Sequence, residues 1–74
     1  MLRGMGEVIR IIVNGETRTI AGEATVEVLL DTLGLGSRSV AVQRNQEILS
    51  PAAYGATELA HGDMLEIVFF IRGI

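Results

Sequence analysis

The sequence has no cysteine, no lysine and no tryptophan, and it holds one histidine, one proline and three aromatic residues among 74. Without cysteine there is no disulfide framework, no thiolate nucleophile and no cysteine-based zinc or iron–sulfur site. A single histidine cannot supply the convergent ligands of a histidine-based metal centre, so no bound metal or cofactor is expected. Six arginines against nine acidic residues give a net charge of −3, the wrong sign for holding a phosphate backbone by bulk charge. Nucleic acid is therefore not the expected partner. The longest apolar run, Ile67 to Ile71, falls far short of the roughly 20 residues of a membrane span. Glu7 and Arg10 break up any apolar stretch after the first residues, so no leader and no membrane partner is expected, and the reading is a cytoplasmic protein. No nucleophile–base pair or phosphate loop is visible either. Gly34-Leu35-Gly36 is too short and badly placed for one, so the chain reads as a carrier or binding protein with no catalytic residues.

What is present is a 49% hydrophobic composition spread in short runs, as one compact core requires. A domain this small buries only about 60% of the surface its unfolded chain exposes, so it has little spare stability. Residues 1–6 read as a flexible N-terminal extension, 7–71 as the domain and 72–74 as a C-terminal tail.

Glu7 to Val13 is rich in β-branched residues and meets Asn14-Gly15, a two-residue hairpin turn whose positions both tolerate positive φ. Glu16 to Ile20 is the return strand. Thr25 can cap a helix from Val26 to about Leu33, with Val26, Leu29, Leu30 and Leu33 on its buried stripe and Gly34 at the left-handed position that ends it. Val40 to Arg44 forms a third strand, turned at Asn45-Gln46 into Glu47-Ile48-Leu49. Ser50 and Pro51 start a short helical turn, Leu59 anchors a loop, and His61-Gly62-Asp63 turns the chain into a last strand from Met64 to Ile71. Hairpin, helix, two strands and a final strand fit one helix on one face of a mixed four- to five-stranded sheet, with the last strand parallel to the first at its centre. This is an α+β, β-grasp arrangement.

In the last strand Glu66 should face solvent. Period two then places Met64, Val68 and Phe70 on its side, with Leu65, Ile67, Phe69 and Ile71 in the core. An apolar outer set invites a partner, and Val8, Arg10 and Ile12 would lie beside it if the first strand alternates in phase. Self-association as a homodimer would satisfy the same surface. His61 reads as an exposed turn residue, Asp63 as a turn-former bonding nearby backbone, and Tyr54 as a plug whose hydroxyl stays wet.

Val40-Ala41-Val42, Asn45-Gln46-Glu47-Ile48-Leu49, Pro51, Tyr54, Leu59, Gly62-Asp63 and Leu65-Glu66-Ile67-Val68, in that order and spacing, resemble the ThiS family of sulfur carriers in thiamin biosynthesis. Val13-Asn14-Gly15-Glu16 and Thr25-Val26-Glu27-Val28-Leu29-Leu30 extend the likeness to most of the chain. The related MoaD carriers of molybdopterin synthesis share the ubiquitin-like fold, but the compact middle section is more similar to ThiS. The resemblance implies that the C-terminal carboxylate is adenylated by an ATP-using ThiF-like enzyme and converted to a thiocarboxylate. A ThiG-like thiazole synthase then receives the sulfur. It assigns the sulfur-carrying tail to Gly73 and Ile74, with Arg72 either a solvated end charge or a recognition arm. The family ends in Gly-Gly, and here only Gly73 matches. Ile74 is trimmed, or the chain continues to further glycines, or the protein is a non-conjugating β-grasp interaction module that docks through Phe70.

Overall fold

The computed structural model describes residues 7–36 and 40–69. The assignments to residues 1–6, to Phe70 and Ile71, and to the tail residues Arg72, Gly73 and Ile74 lie outside this range. Strand β1 (Val8–Val13) turns at Asn14 and Gly15, whose φ angles of +50° and +85° are both left-handed, into β2 (Glu16–Ala21). That turn pairs Val13 with Glu16 and carries the antiparallel register on to Val8↔Ala21. Two positive φ values match the right-handed twist of the flanking strands, which is why Asn-Gly serves here.

Helix α1 (Val26–Thr32) has seven residues, too few to be stable alone. Its start is held from outside. The Thr25 Oγ1 accepts from the Val28 N–H at 3.2 Å, and the N–H groups of Val26 and Glu27 donate to the carbonyls of Thr57 and Tyr54 at 3.0 and 3.1 Å. The segment from residue 54 to 60 is thus more than a loop. Leu59 donates its N–H to the Ala24 carbonyl at 2.9 Å and buries its side chain. The far end closes with Gly34 at φ +78°, its N–H on the Asp31 carbonyl, while the Leu35 N–H reaches the Leu30 carbonyl at 2.7 Å. This pair of bonds is the Schellman closure that a left-handed glycine permits.

Strand β3 (Val40–Arg44) turns at Asn45 and Gln46, also both left-handed, into β4 (Glu47–Leu49). A short 3-10 turn over Pro51–Ala53 follows, with the Ser50 hydroxyl accepting from the Ala52 N–H, and the last described strand is β5 (Met64–Phe69). The sheet order is β2-β1-β5-β3-β4, with β1 and β5 parallel and the other neighbours antiparallel. Five strands and one helix give the β-grasp architecture expected from the element order. Alternate residues Ile11, Val13, Val40, Val42, Leu65 and Ile67 bury against Val26, Leu29 and Leu30, so the helix covers one face and leaves the other open.

Phe69 departs from the expected pattern. It follows Leu65 and Ile67 in phase, yet it is 52% exposed. By this level β1 has already turned away at Asn14 and α1 has ended at Thr32, so neither covers the ring. Tyr54 is half-buried at the sheet margin, and its hydroxyl donates to the Val40 carbonyl at 3.4 Å.

Candidate functional site

Strand β5 occupies the centre of the sheet, and its outward residues are Met64, Glu66 and Val68. Met64 is 58% and Val68 55% exposed, as a partner surface requires. Their neighbours follow from the register, which sets Met64 beside Ile12, Glu66 beside Gln43 and Val68 beside Ala41. The Gln43–Glu66 pair therefore divides the apolar residues of this face into two parts. Ile48, opposite Gln43 on β4, adds an exposed apolar side chain at the sheet margin.

Val8 and Arg10 do not join this surface. The parallel register starts only at Ile12↔Met64, so the earlier part of β1 lies beyond the beginning of β5, next to Ala21 and Thr19 of β2. In-phase alternation put these residues on the correct face, but it carries no information about the offset between two strands far apart in sequence. At that level β1 meets the turn before β5. The Arg10 N–H donates to the His61 Nδ1 at 3.0 Å, and the Gly62 N–H donates to the Arg10 carbonyl at 2.8 Å. His61 is exposed, as read from the sequence, with one ring nitrogen engaged.

Asp63 anchors the start of β5 and is 5% exposed. Its Oδ2 accepts from the Ala60 N–H at 2.8 Å and the Arg44 Nε at 2.9 Å, and its Oδ1 accepts from the Asn45 Nδ2 at 3.1 Å. Burial alone would push the Asp63 carboxyl up. The Ala60 amide, the Asn45 side chain and the Arg44 guanidinium together outweigh it and hold the group below the ordinary value. Asn45 extends the junction, since its Oδ1 accepts from the Met64 N–H at 2.9 Å and its own N–H donates to the Met64 carbonyl at 2.7 Å. The bond to nearby backbone was legible at Asp63. The ion pair with Arg44, 19 residues away, was not.

The other end of β5 is fixed by Asn14. Its N–H donates to the Leu65 carbonyl at 2.9 Å, continuing the parallel ladder by one rung. Its side chain then supplies another, with Oδ1 accepting from the Ile67 N–H at 2.8 Å and Nδ2 donating to the Ile67 carbonyl at 3.2 Å. A turn residue thus stands in for a strand residue. Past this point the paired residues of β5 are Val68 and Phe69, and both pair with β3 alone. On the inner face an open groove lies at the same end, lined by Val13, Arg18, Leu33, Leu35, Ile67 and Phe69.

Among the described residues no three potential metal ligands converge, and no helix is long and apolar enough to cross a membrane. What the described residues build is a five-stranded platform with one helix on one face and β5 at its centre.

Comparison with known proteins identifies this platform. The ThiS family profile matches residues 11–73. The thiazole synthase of Paramagnetospirillum magneticum is 46% identical over 65 residues, covering 88% of this chain and 20% of that protein. The chain thus spans a fifth of the length of that relative. The sulfur carrier protein ThiS of Bacillus subtilis is 39% identical over 49 residues, covering 66% of this chain and 74% of that one. The crystal structure of the thiamine biosynthesis protein ThiS from Geobacter metallireducens superposes with a TM-score of 0.76 at 32% identity. It covers 89% of this chain and all of that one. The resemblance to ThiS over MoaD read from the middle section agrees with these matches. With a profile that spans most of the sequence and a fold that superposes along most of its length, the chain belongs to the ThiS family.

Proposed function

We propose that this chain is a sulfur carrier of thiamine biosynthesis that holds its sulfur as a C-terminal thiocarboxylate. The observation that carries the reading is the family match over residues 11–73, which takes in β2 to β5 and the second half of β1 and reaches Gly73. A carboxylate is a poor electrophile until it has a leaving group. An adenylating, ThiF-like enzyme supplies one from ATP: a carboxylate oxygen attacks the α-phosphorus, pyrophosphate departs and an acyl adenylate forms. A persulfide sulfur attacks the acyl carbon and expels AMP, and a thiol then cleaves the resulting S–S bond, releasing the thiocarboxylate and a disulfide. The carrier contributes the acyl group and its presentation, and ATP is bound by the partner.

Glycine at residue 73 suits this role because a chain without a Cβ can enter a narrow channel as extended backbone. Ile74 is β-branched and would crowd the acyl carbon. The reading therefore places the sulfur on the Gly73 carboxyl group after removal of Ile74, with Arg72 as a recognition side chain. The acceptor in this reading is a thiazole synthase. Support comes from relatives of that name, in which the segment similar to this chain makes up a fifth of a longer protein. Met64 and Val68 on the open face, with Phe70 beyond them, form the docking surface in this reading.

Intact-mass measurement after incubation with the adenylating enzyme, ATP and a persulfide donor tests the proposal. The expected result is a gain of about 16 Da, oxygen replaced by sulfur, on the full-length chain or on the form lacking Ile74. No gain on either form would refute it.

A further inference from the structure

On the β1 side of the last strand, Asn14 makes the contact at the level where the chain turns out of the first strand. In an ordinary two-residue hairpin turn the first position needs only a tolerance for positive φ, which glycine meets as well as asparagine. Here the side chain does more. Both of its polar atoms are used on the backbone of one distant residue, 53 residues along the chain, with the Ile67 N–H on Oδ1 and the Ile67 carbonyl on Nδ2. A primary amide placed this way reproduces the donor and acceptor of a backbone peptide, so the β1–β5 ladder continues past the point where the β1 backbone has turned off.

We propose that Asn14 is a positioning residue for the chemistry of the C-terminal tail: by pairing with both polar groups of Ile67 it holds β5 on its β1 side, opposite the pairing with β3, and so fixes the direction in which the strand runs on toward Gly73. The inference rests on the carrier reading above. Gly73 lies six residues beyond Ile67, a span of at most about 20 Å when extended. An error in the direction of the strand at Ile67 is carried over that length to the acyl carbon. Docking through the open face involves Met64 and Val68, which point away from the Asn14 contact, so the clamp acts on placement of the tail and leaves docking alone. Misplacement by about 1 Å at a reacting centre can cost two orders of magnitude in rate, so a clamp of two hydrogen bonds can be felt at the end of the tail.

The test uses Asn14→Gly, which keeps the turn conformation and deletes both bonds, and Asn14→Asp. The aspartate keeps an acceptor for the Ile67 N–H but sets a carboxylate oxygen against the Ile67 carbonyl. Thr25→Ala, which loosens the helix start, is the control for lowered stability. With the full-length carrier, the adenylating enzyme, ATP and a persulfide donor, Asn14→Gly is expected to lower kcat for thiocarboxylate formation about tenfold with KM for the carrier unchanged. Asn14→Asp is expected to lower it several-fold, and Thr25→Ala to leave it at the parent value. Amide exchange at Ile67 should quicken about tenfold in Asn14→Gly under conditions where the chain is folded. An unchanged kcat in Asn14→Gly, or an equal loss in Thr25→Ala, overturns the positioning role while the parent's mass gain leaves the carrier reading standing. No mass gain in the parent overturns the carrier reading, and the positioning role with it.

Discussion

Replacing Asp63 by asparagine removes a buried charge and turns one of two acceptor atoms into a donor. The carboxylate Oδ2 accepts from the Ala60 amide and the Arg44 guanidinium and Oδ1 accepts from Asn45, so whichever way the new amide turns, its nitrogen faces at least one N–H group and Arg44 loses its counter-charge. Hydrogen bonds to a charged group contribute about 1.5–3 kcal/mol each, and the partly exposed Arg44 can recover some of its share from water. The expected loss is about 3 kcal/mol. A domain of this size holds only about 4–11 kcal/mol in total, and each kcal/mol moves Tm by about 4–8 °C, so thermal unfolding at neutral pH should fall by about 15 °C.

The pH dependence gives a second handle. The carboxyl of folded Asp63 lies below the ordinary value of 3.8, so between the folded and unfolded values the unfolded chain binds the extra proton. Its contribution is therefore complete above the unfolded value and is lost as pH falls through the folded one. Urea unfolding followed by circular dichroism at pH 7 and near pH 3 should show the gap between parent and Asp63→Asn narrowing in acid. A loss under about 0.5 kcal/mol at pH 7, or a gap that does not change with pH, would refute the assignment of Asp63 as a charged anchor.

Leu29 is 1% exposed at the centre of the helix stripe, and Leu29→Ala should cost about 2–5 kcal/mol by the lost transfer energy and the cavity left behind. A lowered urea midpoint at an unchanged slope is the expected signature. Val68→Asp should leave stability within about 0.5 kcal/mol, since the side chain is already exposed, yet weaken binding to the thiazole synthase or the adenylating enzyme at least tenfold by calorimetry. Undiminished binding to both would remove Val68 from the docking surface.

The features legible in the sequence are those in which a residue acts on its near neighbours. Asn14-Gly15, Thr25 with its cap, Gly34 and Gly62-Asp63 each declare a local backbone geometry, and each is found where expected. The parallel pairing of the last strand with the first followed from the long connection between them. Its offset did not, and that is why Val8 and Arg10 were expected beside β5. Phe69 was assigned to the core by period two, a rule that fixes the face of a sheet but not how far the covering helix extends. The Asn14 clamp was hidden for a related reason. A turn asparagine reads as a turn residue until its distant partner is known, and residues 55–60, read as a loop, prove with Tyr54 to hold the start of α1 through bonds that no local pattern reveals.

The parallel pairing of β1 and β5 also determines how this domain can be wired into a larger protein. Two parallel strands offset as these are begin at one end of the sheet and finish at the other, and Val8 and Phe69 stand about 30 Å apart along the strand direction. A neighbour joined ahead of β1 would sit at the end remote from the tail, leaving the sheet as a spacer between them. One joined after β5 would lie in line with the tail itself. In relatives where a similar segment forms a fifth of a longer chain, the side on which the rest is attached therefore decides whether the C-terminal end of the segment can be free or must be a link in the chain.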